Sequence, residues 1–522
     1  MPLIHNNEVS AAQTPLRRRT IITALQWRAL LRSPYVFLLA VYVVSRVFYY
    51  LLGVRFDSRG LPSSLQFIDV ELLRHHLLQS LFYLHWQPPG YNLFLGVVLK
   101  LFPSTYGAAF HAIHLVFGGT VMCLMFHLMR CLGVRVRIAL TMTILFIVSP
   151  GVILYEKFLF YEFPMIFLLI VSAAFLFHFF ANRSAVCAIG FLLCLFLLVL
   201  VRNQFHLIYF AFAFALMLYF AKHHRRLVTI AGSVFFAMVF ALFLKNFVLF
   251  GHFASSTWMQ MGLGPLLLYQ MTPEERDPLI AQGKLSPAWD VEANAPVAIG
   301  DVPLDGIPVS SYRPYITMPP KTGIPVLDQE LKSSGSVNYN HRGYLEAQKL
   351  YVKDLKCIMR YCPQAYLRSV AIAWFTYFLP SGDFPFLNKN LPRISGIERF
   401  CDIVMCGQFK HTSTRYILRK MSPLAIIPYT GVFLLVGLPA LFIFGIWYLY
   451  RGVRRRTLGS PQALLLGFLL FNIFYITATA NFLSSYENNR YRFPIDGFFI
   501  VLAALALEQV IRKSFRKENR LF

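Results

Sequence analysis

The chain has 522 residues, of which 57% are hydrophobic, and it carries a formal net charge of +25. Soluble domains are about 45–50% apolar, so this composition excludes an ordinary soluble protein and indicates a membrane protein. The Lys and Arg residues occur in short clusters between long apolar runs. That pattern is typical of cytoplasmic loops beside anionic headgroups, and it argues against nucleic acid as a partner.

The first long apolar run begins near residue 34, after a basic tail (1–33) that contains Arg17, Arg18 and Arg19. No small-residue cleavage site follows it, so we expect an uncleaved first span rather than a removed signal peptide. Arg46 lies inside this run, where it would either snorkel to the interface or pair with another helix.

Ten apolar runs are candidates for helices that cross about 30 Å of hydrocarbon. They cover about 34–54, 106–129, 138–155, 163–181, 185–201, 204–221, 227–250, 422–450, 461–482 and 494–511. The sequence therefore predicts an all-α polytopic membrane protein with about 10–11 transmembrane helices. We also expect juxtamembrane or re-entrant helices on its outer face and a mixed extracytoplasmic loop region.

The connections between these runs alternate between two kinds. The basic kind comprises 17–19, 130–137, 182–183, 222–226, 451–456 and 512–517, and the other kind comprises 55–105, 155–162, 202–206, 251–421 and 483–493. By the positive-inside rule, the basic connections and both termini lie in the cytoplasm. The alternation requires that 88–102, which is short for a span and opens on a double proline, forms a juxtamembrane or re-entrant helix.

This topology divides the chain into five segments. They are a cytoplasmic tail (1–33), a transmembrane module with the first outer loop 55–105 (34–250), a large extracytoplasmic region (251–421), the last transmembrane helices (422–511) and a second cytoplasmic tail (512–522). In the large region, four cysteines could form disulfides if it is extracytoplasmic. They are Cys357, Cys362, Cys401 and Cys406, and their spacing is not that of a typical zinc site.

The first outer loop contains a candidate catalytic carboxylate. Apolar residues recur there with helical spacing, so 67–84 is predicted to be an amphipathic helix at the interface. Asp69 lies at its N-terminal end, where it could cap the helix, act in catalysis, or do both. Glu71 is followed by Arg74 and His75 at helical spacing, which favours a local ion pair.

Ionisable residues also occur at the other outer turns. Glu156, Lys157 and Glu162 lie at the membrane edge, where charged groups are functional candidates, although Lys157 could instead snorkel to headgroups. Arg202 and His206 are four residues apart and would share a helix face if the helix continues.

The last outer turn carries Glu487, Arg490 and Arg492 directly before a span. Arginine on this side runs against the positive-inside tendency, and guanidinium matches the geometry of phosphate. We therefore expect Arg490 or Arg492 to bind an anion, with pairing to Glu487 as the alternative.

Four stretches together resemble a known family. They are QFIDVELL with Asp69, QPPGYNLFLG (87–96), YEKFLFYE (155–162) and ENNRYRF (487–493). Their order is similar to that of the GT-C integral-membrane glycosyltransferases, such as the protein O-mannosyltransferases and the lipid A aminoarabinose transferases. The resemblance covers 34–250 and 422–511, whereas 251–421 matches only through its placement.

The resemblance implies a sugar donor built on undecaprenyl or dolichyl phosphate and transfer on the non-cytoplasmic face. It implies that Asp69 is the general base for the acceptor hydroxyl, with Glu71 as the second candidate. Displacing a lipid phosphate from a sugar also needs cations near the leaving group. The candidates are Arg202, His206, Arg490 and Arg492.

Further residues are expected to line the substrate site. They are His85, Gln87, Asn92, Glu156, Lys157, Glu162 and Glu487. The chain departs from the family in two places. His85 and Gln87 stand where the aminoarabinose enzymes carry a lysine, and Val70 separates the two acidic residues that usually form a doublet. The sequence leaves open whether Mg²⁺ or Mn²⁺ serves as a cofactor.

Two other functions remain as alternatives. A polyprenyl-linked polysaccharide polymerase or ligase would share the layout, and a transporter or flippase is less favoured because no internal repeat is present. The acceptor (glycan, lipid or protein) is open. The bacterial inner membrane is favoured over the endoplasmic reticulum.

Overall fold

The computed structural model describes residues 33–258, 263–264, 267, 270–288, 309–411, 423–484 and 487–518. Within these ranges the chain is helical and contains no β-strand, only two isolated β-bridges, Asp57 with Phe158 and Leu331 with Val337. The predicted all-α class is therefore confirmed.

The helices of the first half are α1 (Pro34–Leu51), α2 (Val70–His75), α3 (Leu77–Phe82), α4 (Pro89–Leu101), α5 (Tyr106–Cys131), α6 (Val136–Ile147), α7 (Pro150–Glu156), α8 (Glu162–Asn182), α9 (Ala185–Val201), α10 (Leu207–Phe220) and α11 (Arg225–Phe250). Those of the second half are α12 (Pro273–Ala281), α13 (Pro325–Asp328), α14 (Gly343–Tyr361), α15 (Pro363–Tyr377), α16 (Leu391–Cys401), α17 (Pro423–Ile426), α18 (Val432–Arg454), α19 (Ser460–Leu483) and α20 (Asn488–Glu518).

Seven helices in the described ranges are long and apolar enough to cross a membrane, namely α1, α5, α8, α11, α18, α19 and α20. An eighth span results if α6 and α7, which are bent by 57° at their junction, count as one broken span. The two remaining predicted spans coincide with shorter apolar helices, α9 with 17 residues and α10 with 14. The chain is an integral, multi-pass membrane protein.

Helix α8 lies at the centre of the bundle. It is the most deeply buried of the seven spanning helices and packs against α5, α9, α19 and α20. Apolar sequence alone does not select this position, since α11 and α18 are at least as apolar and are far less buried. The first residue of α8, Glu162, is fully buried as a consequence of this central position.

The first outer loop differs from expectation in one respect. A single helix over 67–84 is wrong, because α2 and α3 are separate and His76 between them is non-helical (φ −126°). The Asn92 side chain bonds to both Gln66 and Ile68, which holds them outside a helix, so α2 starts only after Asp69. Helix α4 has 13 residues, too few for a span.

Candidate functional site at the loop end

The end of the bundle that carries residues 52–88, 157–161 and 202–206, together with 251–258, 270–288, 309–411 and 423–431 of the large region, is called the loop end. Asp69 lies here, and its buried carboxylate caps α2 by accepting a hydrogen bond from the Glu71 backbone N–H at 3.2 Å. It also accepts from the backbone N–H and the hydroxyl of Ser333, at 2.7 and 2.6 Å. Helix capping by Asp69 is thus confirmed, and Ser333 is a partner that local sequence patterns could not reveal.

Glu71, the second catalytic candidate, occupies a different environment. Its side chain is 53% exposed and forms ion pairs with Arg74 at 3.9 Å and His75 at 3.5 Å. The local pairing predicted from their spacing is confirmed. Asp69 is therefore the better placed of the two carboxylates for a buried site.

The stretch QPPGYN positions the Asp69 segment. Pro89 opens α4 at its first turn, and Gly90 lies so close to α9 that an added Cβ would be 2.8 Å from the Leu200 carbonyl oxygen. Asn92 accepts a hydrogen bond from the Ile68 N–H at 2.8 Å and donates to the Gln66 carbonyl at 3.2 Å. Asn92, expected to line the substrate site, braces the chain just before Asp69 instead.

His85 and Gln87 were also expected to line the site, and both are buried. The His85 ring bonds to the Thr257 hydroxyl at 3.1 Å and to the Asn340 carbonyl at 2.9 Å. Burial lowers the pKa of His85 to about 3, so its ring is neutral at physiological pH. His85 therefore joins the first outer loop to the large region that follows α11.

A group of four charged residues, of which Glu162, Arg202 and Arg490 are buried, lies where α8, α9 and α20 meet. Glu162 contacts Arg202 and Arg490, each at 3.2 Å, and Arg490 also pairs with Glu487 at 2.9 Å. These four residues are called the Glu162 cluster. The sequence proposed each of them separately, and the fold brings them together.

Some polar atoms of the Glu162 cluster lack partners. Arg202 Nη2, Arg490 Nε and Glu162 Oε2 are buried and make no hydrogen bond, although Arg490 Nε is within ion-pair distance of Glu162. Buried polar groups are usually satisfied, so such atoms call for a functional explanation. Arg202 Nη2, which has no ion-pair partner either, is a suitable donor for an anion.

Aromatic rings surround the Glu162 cluster. The Arg202 guanidinium lies 4.7 Å from the ring centre of Tyr161 and 4.2 Å from that of Tyr491. The hydroxyls of Tyr91 and Tyr155 are buried without a partner, and each lies near enough to Glu162 to interact with its charge. We did not predict these tyrosines, although the aromatic density of FLFYEF and RYRF marks the two stretches that supply Tyr161 and Tyr491.

Two rings in succession connect the segment before Asp69 to the Glu162 cluster. Phe67, two residues before Asp69, packs on Phe160 with ring centres 5.6 Å apart. Phe160 in turn has its ring centre 5.4 Å from the Arg490 guanidinium. The segment that carries the candidate base is therefore linked to the candidate anion-binding residues through aromatic contacts.

Two residues expected to bind phosphate lie outside the Glu162 cluster. Arg492 is buried and bonds to Asp496 at 2.8 Å, to Ser381 at 2.9 Å and to the Tyr377 carbonyl. His206 caps α10. Arg202 and His206 do not share a helix face, because the helix does not continue: Arg202 ends α9 in an extended conformation (φ −147°, ψ 134°).

Glu156 and Lys157 form a separate buried network with Arg46. Arg46 Nη2 is 2.5 Å from Glu156, which also accepts from the Tyr42 hydroxyl at 2.9 Å. Gly118 makes room for this pair, since an added Cβ would be 2.4 Å from Glu156. Pairing of Arg46 with another helix is confirmed. Lys157 does not snorkel, because it is buried 3.3 Å from Glu156.

All eight cysteines are free thiols, so the disulfides considered for Cys357, Cys362, Cys401 and Cys406 are not formed. Among the described residues, no group of three or more His, Cys, Asp or Glu side chains is placed to hold a metal ion, and no metal ligands are assigned.

No protein-family model, curated protein or solved structure matches the chain. The functional assignment therefore depends on the residues of this protein alone.

Proposed function

We propose that the chain is a membrane glycosyltransferase. In this proposal it moves a sugar from a polyprenyl-phosphate donor to an acceptor hydroxyl at the loop end, on the periplasmic or lumenal face. The observation that carries the proposal is the pair of buried arginines, Arg202 and Arg490, at the end of a membrane-spanning bundle, where Arg202 Nη2 has no hydrogen-bond partner. A lipid phosphate would enter at this depth with its chain in the bilayer.

The reaction divides between two parts of the loop end. The acceptor oxygen attacks the anomeric carbon, and Asp69 takes the hydroxyl proton. The bond between the sugar and the phosphate oxygen breaks, and the released polyprenyl phosphate keeps the electron pair. Arg202 and Arg490 stabilise the charge on that phosphate, as oriented cations do in other group transfers.

Glu162 holds the two arginines in place for this role. It contacts both guanidinium groups, and without it two like charges would be buried side by side. The surrounding rings exclude water and strengthen the attraction of the arginines for a phosphate. In this proposal the Phe67–Phe160 contact links the segment that carries the general base to the leaving-group site.

The proposal is tested by Asp69→Asn in proteoliposomes. The donors are undecaprenyl phosphates that carry radiolabelled mannose, glucose or aminoarabinose, and the acceptors are extracted from the membrane. We expect transfer to fall by about 100-fold or more, as for the loss of a general base. Glu346→Gln is the control, since Glu346 lies outside the candidate site and pairs with the exposed Lys349.

Normal turnover in the Asp69→Asn protein would contradict the catalytic assignment. It would favour the polymerase or ligase alternative, in which the catalytic residues lie in a later loop. Failure of the wild-type protein to use any of the donors would contradict the proposal itself.

A further inference from the structure

A short turn from the large region lies over Asp69. Residues 331–337, called the strap, form a tight reversal in which Leu331 bridges Val337 and the Lys332 N–H donates to the Ser336 carbonyl at 2.8 Å. Gly335 adopts the left-handed conformation that the reversal requires (φ +82°).

Three consecutive strap residues bind the first outer loop. Lys332 Nζ donates to the Ser64 carbonyl at 2.6 Å, and the Ser334 hydroxyl donates to the Pro62 carbonyl at 2.9 Å. Between them, Ser333 bonds to Asp69. The strap is therefore attached to the Asp69 segment on both sides of Ser333.

Ser333 donates a hydrogen bond to each oxygen of the Asp69 carboxylate. Its hydroxyl donates to Oδ1 at 2.6 Å and its backbone N–H donates to Oδ2 at 2.7 Å. A general base must lie about 2.6–3.2 Å from the hydroxyl whose proton it takes. The Ser333 hydroxyl thus has the distance and the bonding role that an acceptor hydroxyl would need.

The tip of the strap can lift while its base stays packed, because Lys332, Ser336 and Val337 are buried and Val337 belongs to a hydrophobic cluster. Ser333, Ser334 and Gly335 are exposed to solvent, whereas Asp69 beneath them is buried. The described contacts that hold these three residues to the first outer loop are hydrogen bonds, which water can replace. Segments of this kind open at much lower free energy than packed helices.

We infer that the strap is an autoinhibitory lid, in which Ser333 stands in for the acceptor hydroxyl on Asp69 and must be displaced before transfer. This inference rests on the proposed glycosyltransferase function. It adds that the acceptor competes with a segment of the chain itself, so the fraction of open molecules limits the apparent affinity for the acceptor.

Ser333→Ala tests the lid, because it removes one hydrogen bond and leaves Asp69 intact. We expect amide exchange of 331–337 to become about fivefold faster, as for the loss of one hydrogen bond. The KM for the acceptor should fall by a similar factor, with kcat unchanged. Ser310→Ala is the matched control, since Ser310 is an exposed serine outside the strap.

A second variant closes the lid. In the double variant Pro62→Cys and Ser334→Cys, oxidation to a disulfide should abolish transfer, and a reductant should restore it. Each single-cysteine variant serves as its control. Full transfer by the cross-linked protein would contradict the inference that the strap is a lid.

The outcomes separate the two claims. Faster exchange in Ser333→Ala with an unchanged or higher KM would mean that the strap only stabilises the loop, and would overturn the lid while leaving the proposed function standing. If neither the wild type nor Ser333→Ala transfers sugar, the proposed function is contradicted, and so is the inference of a lid, which depends on it.

Discussion

At the scale of single residues, the protein buries charge in two different ways. The Glu156 carboxylate is matched by Arg46, Tyr42 and Lys157, so its ion pair is complete. In the Glu162 cluster, by contrast, atoms of both arginines lack hydrogen-bond partners. The first arrangement is typical of structural support and the second of a binding site.

The structural role of Glu156 can be tested by Glu156→Gln, which leaves Arg46 buried with no carboxylate. We expect the free energy of unfolding in mixed micelles to fall by about 3–5 kcal/mol, since removing one partner of a buried pair strands the other charge. Glu346→Gln is the control, because Glu346 pairs with the exposed Lys349 and should change stability by less than about 1 kcal/mol. Equal stability of the two variants would refute this role.

Local partners could be predicted from the sequence at this scale, and distant ones could not. The cap by Asp69 and the ion pairs of Glu71 involve residues two to four positions away. Ser333 contacts Asp69 across 264 residues, and no spacing rule connects them. The Glu162 cluster is an intermediate case, because its members were individually marked by charge at the membrane edge.

At the scale of elements, α16 and the π-helical turn Asp402–Cys406 that follows it carry an acidic pair. Glu398 and Asp402 are buried near Asp383. Two causes raise the pKa of Glu398 to about 7 and that of Asp402 to about 9. Burial is the larger cause, and repulsion by the neighbouring carboxylates is the smaller one. Arg399 lowers both pKa values in part. The pair of carboxyls therefore keeps a proton at neutral pH.

This pair makes the stability depend on pH. Unfolded carboxyls titrate near pH 4, so between about pH 4 and 9 the folded chain holds more protons than the unfolded chain. The stabilisation of the folded state by the protonated pair is complete below pH 4, and it is lost as the pH rises through the pKa values of the folded chain. We expect the thermal midpoint to fall from pH 5 to pH 9, and to fall less in Asp402→Asn. An identical slope in both proteins would rule out the acidic pair as its source.

Hydrophobicity predicts where the helices lie better than where they break. All ten apolar runs fall on helices, because each buries apolar side chains or faces lipid. The run 138–155 is interrupted at Ser149, which is extended (ψ 142°) before Pro150, as residues before proline tend to be. The break between α2 and α3 has no proline or glycine to mark it, and we have no physical account of it.

At the scale of the whole molecule, the large region folds onto the first outer loop. His85 bonds to Thr257 and Asn340, the strap covers Asp69, and Lys389 lies 3.4 Å from Asp57. These contacts join segments that are more than 170 residues apart. Composition could place the region beside the membrane but could not predict which of its residues reach Asp69.

The central claim is that the Glu162 cluster binds a polyprenyl phosphate. Native mass spectrometry of the full chain in nanodiscs tests it, with undecaprenyl phosphate as the probe and undecaprenol, which lacks the phosphate, as the reference. The wild type should retain undecaprenyl phosphate and not undecaprenol. Arg490→Gln should weaken retention by about tenfold or more, since it removes a charged donor.

Arg74→Gln is the matched control, because Arg74 lies on α2 outside the Glu162 cluster and pairs with Glu71. The thermal midpoint of Arg490→Gln shows whether that variant is folded. Selective retention of the phosphate lipid by the wild type and Arg74→Gln, and its loss in folded Arg490→Gln, is the predicted result. Equal retention of both lipids by the wild type, or undiminished retention by Arg490→Gln, would contradict the claim.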